Sequence, residues 1–375
     1  MPFYDVAGRA AFSGAENHLF TLMDGQVQAG LDVELIMIVG VAGARLQEKA
    51  DALRGMGIRV TDVNYPVLGL GFTNRLLRPL ILSRLNKLFR QRQDRVLHIH
   101  PLTGSGSLAA LSAAMVRHQH VVISYHNNEP YLLRFPYKQA VRLMERLAQR
   151  TIAISAVVRK HLVEGIGLSP SKTKLIYYGI SANENEPDKA TLRHRLGLPQ
   201  DTFIAGLVGR LTPQKDIPTF LKALQHLPDV HGVIIGGGEL ENELKVLARN
   251  LGLKNITFAG PQPDGPILMR CLDVMVLPSF FEGLGLVLLE AMVRNVPIIG
   301  SRGGAIPEIL ENGTLGPVFD VGDVETFVKL IEDFRTNPAI ARHYADIAYA
   351  RAQEKFTIAA MVQNTSHLYR DVMAA

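Results

Sequence analysis

Short apolar runs alternate with longer amphipathic segments along almost the whole chain. The short runs are rich in β-branched and aromatic residues, and segments long enough to form helices separate them. This alternation is typical of parallel sheets built from βαβ units, so the pattern predicts an α/β protein. The predicted strands form two series, at 33–39, 96–100, 121–125, 152–154 and 174–178, and at 203–208, 233–235, 256–259, 274–277 and 297–299.

A polar segment without apolar periodicity, SANENEPDK at 181–189, separates the two series and is predicted to be a linker. The chain of 375 residues is long enough for two domains, each with its own core. We therefore predict two Rossmann-like, doubly wound domains over residues 1–180 and 190–355, with a ligand cleft at the carboxyl ends of their strands. The tail, 356–375, is predicted to be one more helix.

The formal net charge of +5 hides an asymmetry, because it is +10 over residues 1–180 and −5 over the rest. Segment 74–95 holds seven Arg or Lys and one Asp, with Leu77, Ile81, Leu85 and Leu88 at helical spacing. A helix that packs on a sheet and has a solvated basic face explains this pattern. A patch that docks on an anionic membrane or a lipid-linked acceptor explains it as well. Nucleic acid is not an expected partner, since no recognised module and no basic–aromatic interleaving is present.

The composition argues against several classes of protein. Cys271 is the single cysteine, so no internal disulfide or cysteine-rich metal site can form, and a reducing compartment is expected. The longest uncharged apolar run, 35–44, is much shorter than the roughly 20 residues of a membrane span. The first residues lack a secretory signal pattern. We expect a cytoplasmic protein, peripheral on the membrane if 74–95 docks there.

The densest candidate chemistry lies at 277–292, LPSFFEGLGLVLLEAM. A strand, a loop and then a helix from Gly285 are predicted, and free amides and the helix dipole at that helix start favour an anion. Glu282 would lie in the loop, and Glu290 in the helix among apolar neighbours, where an unpartnered carboxylate is costly. One carboxylate could face a sugar while the other accepts hydrogen bonds from further hydroxyls. A loop acid and a solvated helical glutamate form the simpler alternative.

A second candidate segment, LVGRLTPQK at 207–215, follows another predicted strand. Gly209 permits a tight turn, and Arg210 and Lys215 project from the same loop. A planar guanidinium and a compact ammonium together suit a diphosphate, although two surface charges beside a turn would give the same pattern. Segments IGGGE at 235–239 and RGGAIPE at 302–308 predict two further sharp turns.

These segments, in this order over about a hundred residues, resemble the signatures of the retaining glycosyltransferases of family four, which have the two-domain GT-B fold. The residues that carry the resemblance are Gly209, Arg210, Leu211 and Lys215; Gly236–Gly238; Pro278, Ser279, Glu282, Gly283, Gly285, Leu289, Glu290, Ala291 and Met292; and Gly303, Gly304, Pro307 and Glu308. The resemblance also allows the C-terminal helix to return to the N-terminal domain.

The resemblance implies a nucleotide-diphosphate sugar bound by the C-terminal domain. Arg210 and Lys215 would hold the pyrophosphate, Glu290 the ribose hydroxyls, and Glu282 with the amides after it the donor sugar and phosphate. The full set of implied donor-binding residues is Gly14, Gly209, Arg210, Lys215, Gly237, Glu282, Gly283, Leu284, Gly285, Leu286 and Glu290.

The N-terminal half resembles the family more loosely. The segment from Ser13, SGAENHLFTL, is similar to the family's glycine loop but contributes Gly14 alone. The segment VISYHNNEP at 122–130 places His126 at a strand end, and similar enzymes have a histidine beside the donor sugar there. Tyr178 stands where an asparagine is usual. His98 and His100 alternate on a predicted strand, so one of them is as readily a core histidine as a site residue.

We therefore expect a hexosyltransferase-like, retaining enzyme that transfers a sugar from a nucleotide-diphosphate donor to a hydroxyl of a glycan or lipid-linked glycan. The expected catalytic residues are Glu282, His126, Arg210 and Lys215. Because the leaving group is a diphosphate, the two cations and the helix start would stabilise it without a metal, and no other cofactor is expected. The absence of any Asp-x-Asp agrees with this.

Other functions stay open at this point. A nucleotide-sugar epimerase would use the same fold, and a non-catalytic subunit would keep the fold for partner binding, although the intact candidate residues argue against the latter. A dinucleotide oxidoreductase fits less well, because no GxGxxG opens either half.

Overall fold

The structure is a computed structural model that describes residues 14–39, 44–64, 78–100, 106–126, 133–135, 137–182, 185–262 and 264–375. The chain divides into two compact units, the first up to Gly179 together with the last helix from Ile358, and the second from Ile180 to Thr357. Segment 181–189, predicted as a linker, thus belongs to the second unit. The C-terminal helix, which the resemblance allowed to return to the N-terminal domain, belongs to the first unit.

The first unit contains parallel strands and their connecting helices. Strands β1 and β2 pair in parallel, and β3 to β6 form a parallel sheet in sequential order. The strands are β1 Glu34–Val39, β2 Arg59–Asn64, β3 Leu97–Ile99, β4 Val121–Tyr125, β5 Arg150–Ala153 and β6 Thr173–Leu175. The helices are α1 Gly14–Gln28, α2 Ala44–Gly55, α3 Arg78–Arg90, α4 Gly106–Met115, α5 Tyr137–Leu147, α6 Ala156–Lys160 with a π-helical continuation His161–Ile166, and, beyond the second unit, α15 Ile358–Met373.

The second unit contains a six-stranded parallel sheet in the order β12-β11-β10-β7-β8-β9. Its strands are β7 Phe203–Val208, β8 Val230–Ile235, β9 Ile256–Gly260, β10 Val274–Leu277, β11 Ile298–Ser301 and β12 Val318–Phe319. Its helices are α7 Lys189–Arg195, α8 Ile217–Gln225, α9 Glu241–Asn250, α10 Gly265–Leu268, α11 Leu286–Met292, α12 Ile306–Ile309, α13 Val324–Thr336 and α14 Pro338–Lys355. This is the doubly wound order, which reverses direction between β7 and β10.

The core of the second unit explains why these strands are apolar throughout. Every residue of β10 is buried, and so is β7 after its first residue. The helices add aromatic side chains to the core, and the rings of Phe319 and Phe327 stack 4.3 Å apart. Strands covered on both faces by helices need such continuous apolar runs, and the predicted α/β architecture with parallel sheets is confirmed.

Helix α15 completes the first unit. Its buried residues are Met361, Val362, Thr365, Leu368 and Val372. Ala360 of the same helix is only partly buried, whereas the neighbouring Met361 is buried. Gly25 of α1 allows the close contact between the two helices, because a Cβ there would lie 2.7 Å from a methyl carbon of Val362.

Two strands were not predicted, and β6 ends earlier than expected. In β2, Arg59, Thr61 and Asp62 interrupt the apolar pattern, and β12 contains only two residues. The strand predicted at 174–178 ends at Leu175, after which the chain leaves the sheet and Tyr178 is buried in the core. In the described part of the chain, every helix is too short or too polar to serve as a transmembrane segment.

Candidate active site

The candidate residues of the second unit lie on loops that follow four strands at the same edge of the sheet. These loops are 209–215 after β7, 236–238 after β8, 278–285 after β10 and 302–305 after β11. Because β7 and β10 are neighbours and the winding reverses between them, their loops flank the crevice in which doubly wound sheets bind ligands.

Glycines let these loops touch backbone to backbone. Gly236 has a φ of +146°, and a Cβ there would lie 1.9 Å from the carbonyl oxygen of Gly209. Gly304 has a φ of +58°, and a Cβ there would lie 2.3 Å from the amide nitrogen of Glu282. Hydrogen bonds complete the contacts, since the Leu211 amide donates to the Gly237 carbonyl at 3.0 Å. The glycine turns read from the sequence therefore hold the candidate loops together.

Glu282 and Lys215 form an ion pair at the centre of these loops. The Lys215 Nζ donates to Glu282 Oε1 at 2.6 Å, and the two side chains are 13% and 8% exposed. The Ser279 hydroxyl donates to the same carboxylate oxygen at 2.7 Å. Glu282 Oε2 has no partner among the described residues, and the ammonium has used one of its three hydrogens. The pair is thus fixed in place yet keeps one acceptor and two donors.

Arg210 is exposed, and within the described ranges its guanidinium makes no ion pair or side-chain hydrogen bond. It follows Gly209, whose position lies close to the stem of Lys215: a Cβ there would be 3.6 Å from the Lys215 Cε. A planar group with uncommitted N–H donors beside an ammonium can bind the oxygens of an anion.

Glu290 lies in α11 and is partly buried. Burial raises the pKa of its carboxyl to about 7, although the charges of Arg294 and Lys215 oppose the rise. No hydrogen bond to this carboxylate is formed by any described residue. Arg294, four residues later, donates to the Glu290 carbonyl and makes a bidentate pair with Glu186 at 2.6 and 2.9 Å. The Glu290 carboxyl is therefore poorly solvated and unpaired.

Helix α11 begins at Leu286 and ends at Met292, so it is shorter than the helix predicted over 285–294. Gly285 precedes it with a φ of +79°. The amides of Leu284, Gly285 and Leu286 have no acceptor within the described residues. Leu284 and Gly285 are buried, and Gly283, which precedes them, is partly buried.

The first unit places His126 directly after β4, in a cluster of buried histidines and tyrosines. The His126 Nδ1 makes a short hydrogen bond with the Tyr178 hydroxyl, and Nε2 lies 3.0 Å from Nδ1 of His100. Burial lowers the pKa of His126 to about 3. Residues Asn127 to Pro130 lie outside the described residues, and Gly14 is the first residue of α1.

His98 is a satisfied core histidine. Its Nδ1 lies 2.6 Å from the Tyr369 hydroxyl and its Nε2 lies 2.7 Å from the Ser124 hydroxyl. His18, on α1, is 6% exposed and stacks on Tyr178, and its Nδ1 has no hydrogen-bond partner among the described residues. Across the described ranges no three His, Cys, Asp or Glu side chains are grouped as metal ligands.

Of the basic segment 74–95, residues 78–95 are described. Helix α3 buries Ile81, Leu85 and Phe89, so Phe89 takes the buried position predicted for Leu88. Two of the cations are committed within the unit, since Arg92 pairs with Glu34 and Arg95 with Asp32. Lys87 and Arg90 remain exposed on α3.

Sequence inspection missed three residues that shape the site. Ser279 was noted only as part of a motif, yet its hydroxyl orients Glu282. Arg294 and Glu186 determine that Glu290 stays unpaired. The spacing of Glu290 and Arg294 would have indicated a helical i,i+4 pair, and the structure shows why that signal misleads here.

Comparison with known proteins identifies the class. The family described as Glycosyltransferase Family 4 matches residues 12–184, and that described as Glycosyl transferases group 1 matches residues 188–352. Together they span most of the chain, and the chain belongs to this family of glycosyltransferases. The crystal structure of Anabaena HepE with UDP and glucose superimposes with a TM-score of 0.80 at 22% identity, covering 98% of each chain, which shows the GT-B fold.

Curated relatives match shorter parts of the chain. The UDP-Gal:alpha-D-GlcNAc-diphosphoundecaprenol alpha-1,3-galactosyltransferase of Escherichia coli is 28% identical over 67% of this chain and 68% of its own length. The D-inositol 3-phosphate glycosyltransferase of Mycobacterium sp. (strain KMS) is 30% identical over 53% of this chain, which spans 47% of that protein. The chain thus matches about half to two thirds of the length of such relatives.

Proposed function

We propose that this glycosyltransferase moves a sugar from a nucleotide-diphosphate sugar to a hydroxyl of a glycan or lipid-linked glycan, with retention of configuration and without a catalytic metal. The observation that carries the proposal is the spare bonding capacity at one edge of the second sheet. Glu282, Lys215 and Glu290 converge there, with Arg210 uncommitted beside them.

The diphosphate is the group that these cations suit. Arg210 offers several N–H donors, Lys215 offers two after its bond to Glu282, and the amides of 284–286 add neutral donors. Preorganised donors stabilise negative charge as it develops on a leaving diphosphate, and they need no reorganisation when it forms. This supports departure of the diphosphate without a metal ion.

Glu290 suits the vicinal hydroxyls of the ribose. Its carboxylate is partly buried and unpaired, a state that burial makes unfavourable and that two hydroxyl donors would relieve. Glu282, held by Ser279 and Lys215 through one oxygen, presents the other oxygen to a hydroxyl of the donor sugar. No side chain is assigned as a nucleophile, and the leaving phosphate acts as the base for the acceptor hydroxyl.

His126 is proposed to contact the donor sugar, as the resemblance implies. Its low pKa makes it a neutral imidazole at physiological pH, so it would act as a hydrogen-bond group and not as an acid.

The acceptor side is proposed to work at an anionic membrane surface on the cytoplasmic side. Lys87 and Arg90 are exposed on α3, and Leu80 on the same helix is 45% exposed. Exposed cations and an apolar side chain on one helix suit an interface with anionic lipid. The Escherichia coli relative acts, by its name, on a lipid diphosphate-linked sugar.

A panel of nucleotide sugars tests the proposal, because the right donor stabilises the folded protein by mass action. We expect one nucleotide class to raise the Tm, and transfer from that donor to a hydroxyl acceptor to continue in excess EDTA. Product analysis should give the anomer of the donor. A protein that no nucleotide sugar stabilises, or whose transfer EDTA abolishes, would contradict the donor site or the metal-free mechanism respectively.

A further inference from the structure

The imidazole of His126 is held at both ring nitrogens. Nδ1 is hydrogen-bonded to the Tyr178 hydroxyl, and Nε2 lies 3.0 Å from Nδ1 of His100. Tyr178 and His100 are 3% and 1% exposed, so water does not compete for these bonds. The His100 and His126 rings are nearly parallel, with 18° between their planes.

The chemistry of the phenol sets the direction of these bonds. Burial raises the pKa of Tyr178 well above its usual value, so the phenol is neutral and carries one hydrogen. His126 Nδ1 is its hydrogen-bond partner among the described residues. If the imidazole donated instead, the phenol hydrogen would be buried without an acceptor. The phenol therefore donates to Nδ1, and the proton of the neutral imidazole lies on Nε2, where it donates to His100 Nδ1.

A stacked ring holds the phenol in place. The His18 and Tyr178 rings lie 3.5 Å apart with 13° between their planes, and His18 is also buried. The phenol cannot turn away from His126 without breaking this stack. The family resemblance already marked this position, since it implies an asparagine where Tyr178 stands.

We propose that Tyr178 is a positioning residue for His126: its hydroxyl fixes the Nε2–H tautomer, so that the imidazole presents a defined donor to an oxygen of the donor sugar or its phosphate. In the ligand-free protein His100 accepts this hydrogen, and the substrate oxygen takes it over or shares it. The inference rests on the proposed function, in which His126 contacts the donor. It adds a reason why a neutral histidine at this position contributes to transfer: the ring carries a hydrogen-bond donor at a fixed nitrogen.

Tyr369 supplies a matched control. Its phenol also has a raised pKa and a hydrogen bond of 2.6 Å to a histidine of the same cluster, His98, but it does not touch His126. Tyr178→Phe and Tyr369→Phe each remove one hydroxyl from a tyrosine–histidine pair and keep the ring. A general loss of packing or stability would affect both variants alike.

Two measurements test the proposal in the full-length protein. Nitrogen NMR of the ring, assigned by the signals lost in His126→Asn, should show Nδ1 unprotonated and Nε2 protonated in the wild type, and a mixture of tautomers in Tyr178→Phe. With the stabilising nucleotide sugar, kcat should fall by about tenfold or more in Tyr178→Phe with little change in the donor KM, and stay near wild type in Tyr369→Phe.

Each contrary outcome is decisive. A wild-type His126 with its proton on Nδ1 overturns the proposal, even if Tyr178→Phe does not fold. A kcat equal to that of the wild type in a folded Tyr178→Phe variant also overturns the proposal. An equal loss of kcat in Tyr369→Phe does the same. If the wild type transfers no sugar at all, the proposed function fails, while the spectra still decide the tautomer.

Discussion

The two units each contain a buried or half-buried polar cluster, and the clusters differ in how much of their bonding capacity is used. In the second unit, Glu282, Lys215 and Glu290 keep free acceptors and donors. In the first unit, His98 and His126 have both ring nitrogens occupied. A buried donor or acceptor without a partner is costly unless a ligand bonds to it. A fully hydrogen-bonded network instead fixes the positions of its side chains. The cluster of the second unit therefore has groups available to bind a ligand, and the hydrogen bonds within the cluster of the first unit orient His126, which is proposed to contact the donor sugar.

The variant Glu282→Gln is expected to have the largest effect on the cluster of the second unit. It keeps the shape of the side chain but removes the charge that holds Lys215, so turnover should fall by about 100-fold or more. Steady-state transfer assays would show this. Ser279→Ala, which removes only one of the two donors to Glu282, should lose far less, and an equal loss would mean that the effect comes from loop distortion.

The next effect concerns the diphosphate. Arg210→Ala should weaken binding of a nucleoside diphosphate by about 10- to 100-fold, because charge-assisted hydrogen bonds are lost. Calorimetry measures this directly. Arg249→Ala, at an exposed arginine on α9, is the control and should bind as the wild type does. Unchanged affinity in Arg210→Ala would remove this residue from the donor site.

The raised pKa of Glu290 predicts a pH dependence with a definite sign. The free protein holds a proton on this carboxyl below about pH 7, and accepting hydroxyl hydrogens needs the carboxylate, so binding releases the proton. Affinity for the nucleotide sugar should therefore rise with pH, by about tenfold between pH 6 and pH 8. Calorimetry at both pH values would measure it. In Glu290→Gln the slope should vanish, and a slope that persists would point to another group.

The smallest effect is expected at the membrane. Reversing Lys87 and Arg90 to Glu should lower partition to anionic vesicles several-fold, since each cation near a membrane contributes about 1 kcal/mol. Vesicle co-sedimentation measures this. The same charge change at Arg249 and Lys254 of the second unit is the control. If both double variants bind alike, α3 is a solvated helix only.

Sequence patterns predicted the features of this molecule that depend on the arrangement of apolar and polar residues over short stretches of the chain. The bounds of β7 and β10 agree with the structure because their apolar runs are uninterrupted. The candidate loops could be grouped because strands at one sheet edge carry them. The ion-pair partners of charged side chains could not be predicted in the same way. Arg294 binds Glu186, which lies 108 positions away, and not its helical neighbour Glu290.

The histidine cluster was the least predictable part. His18 and Tyr178 lie far apart in the sequence, and neither carries a motif that indicates their stacking. His126 was identified from its place after a strand, but its bonds to Tyr178 and His100 depend on tertiary contacts. Roles for these residues therefore follow from geometry and not from spacing.

Helix α15 has a consequence for how the protein is made. The second unit is contiguous in the chain, so it can fold as soon as residues up to 357 have left the ribosome. The first unit cannot complete its folding at that point, because Leu368 and Val372 pack on Val122 and Ile152 of its sheet. Tyr369 also bonds to His98. The unit synthesised first is thus finished last. Until α15 has been synthesised, the apolar surface of the first unit stays open to chaperones or to aggregation.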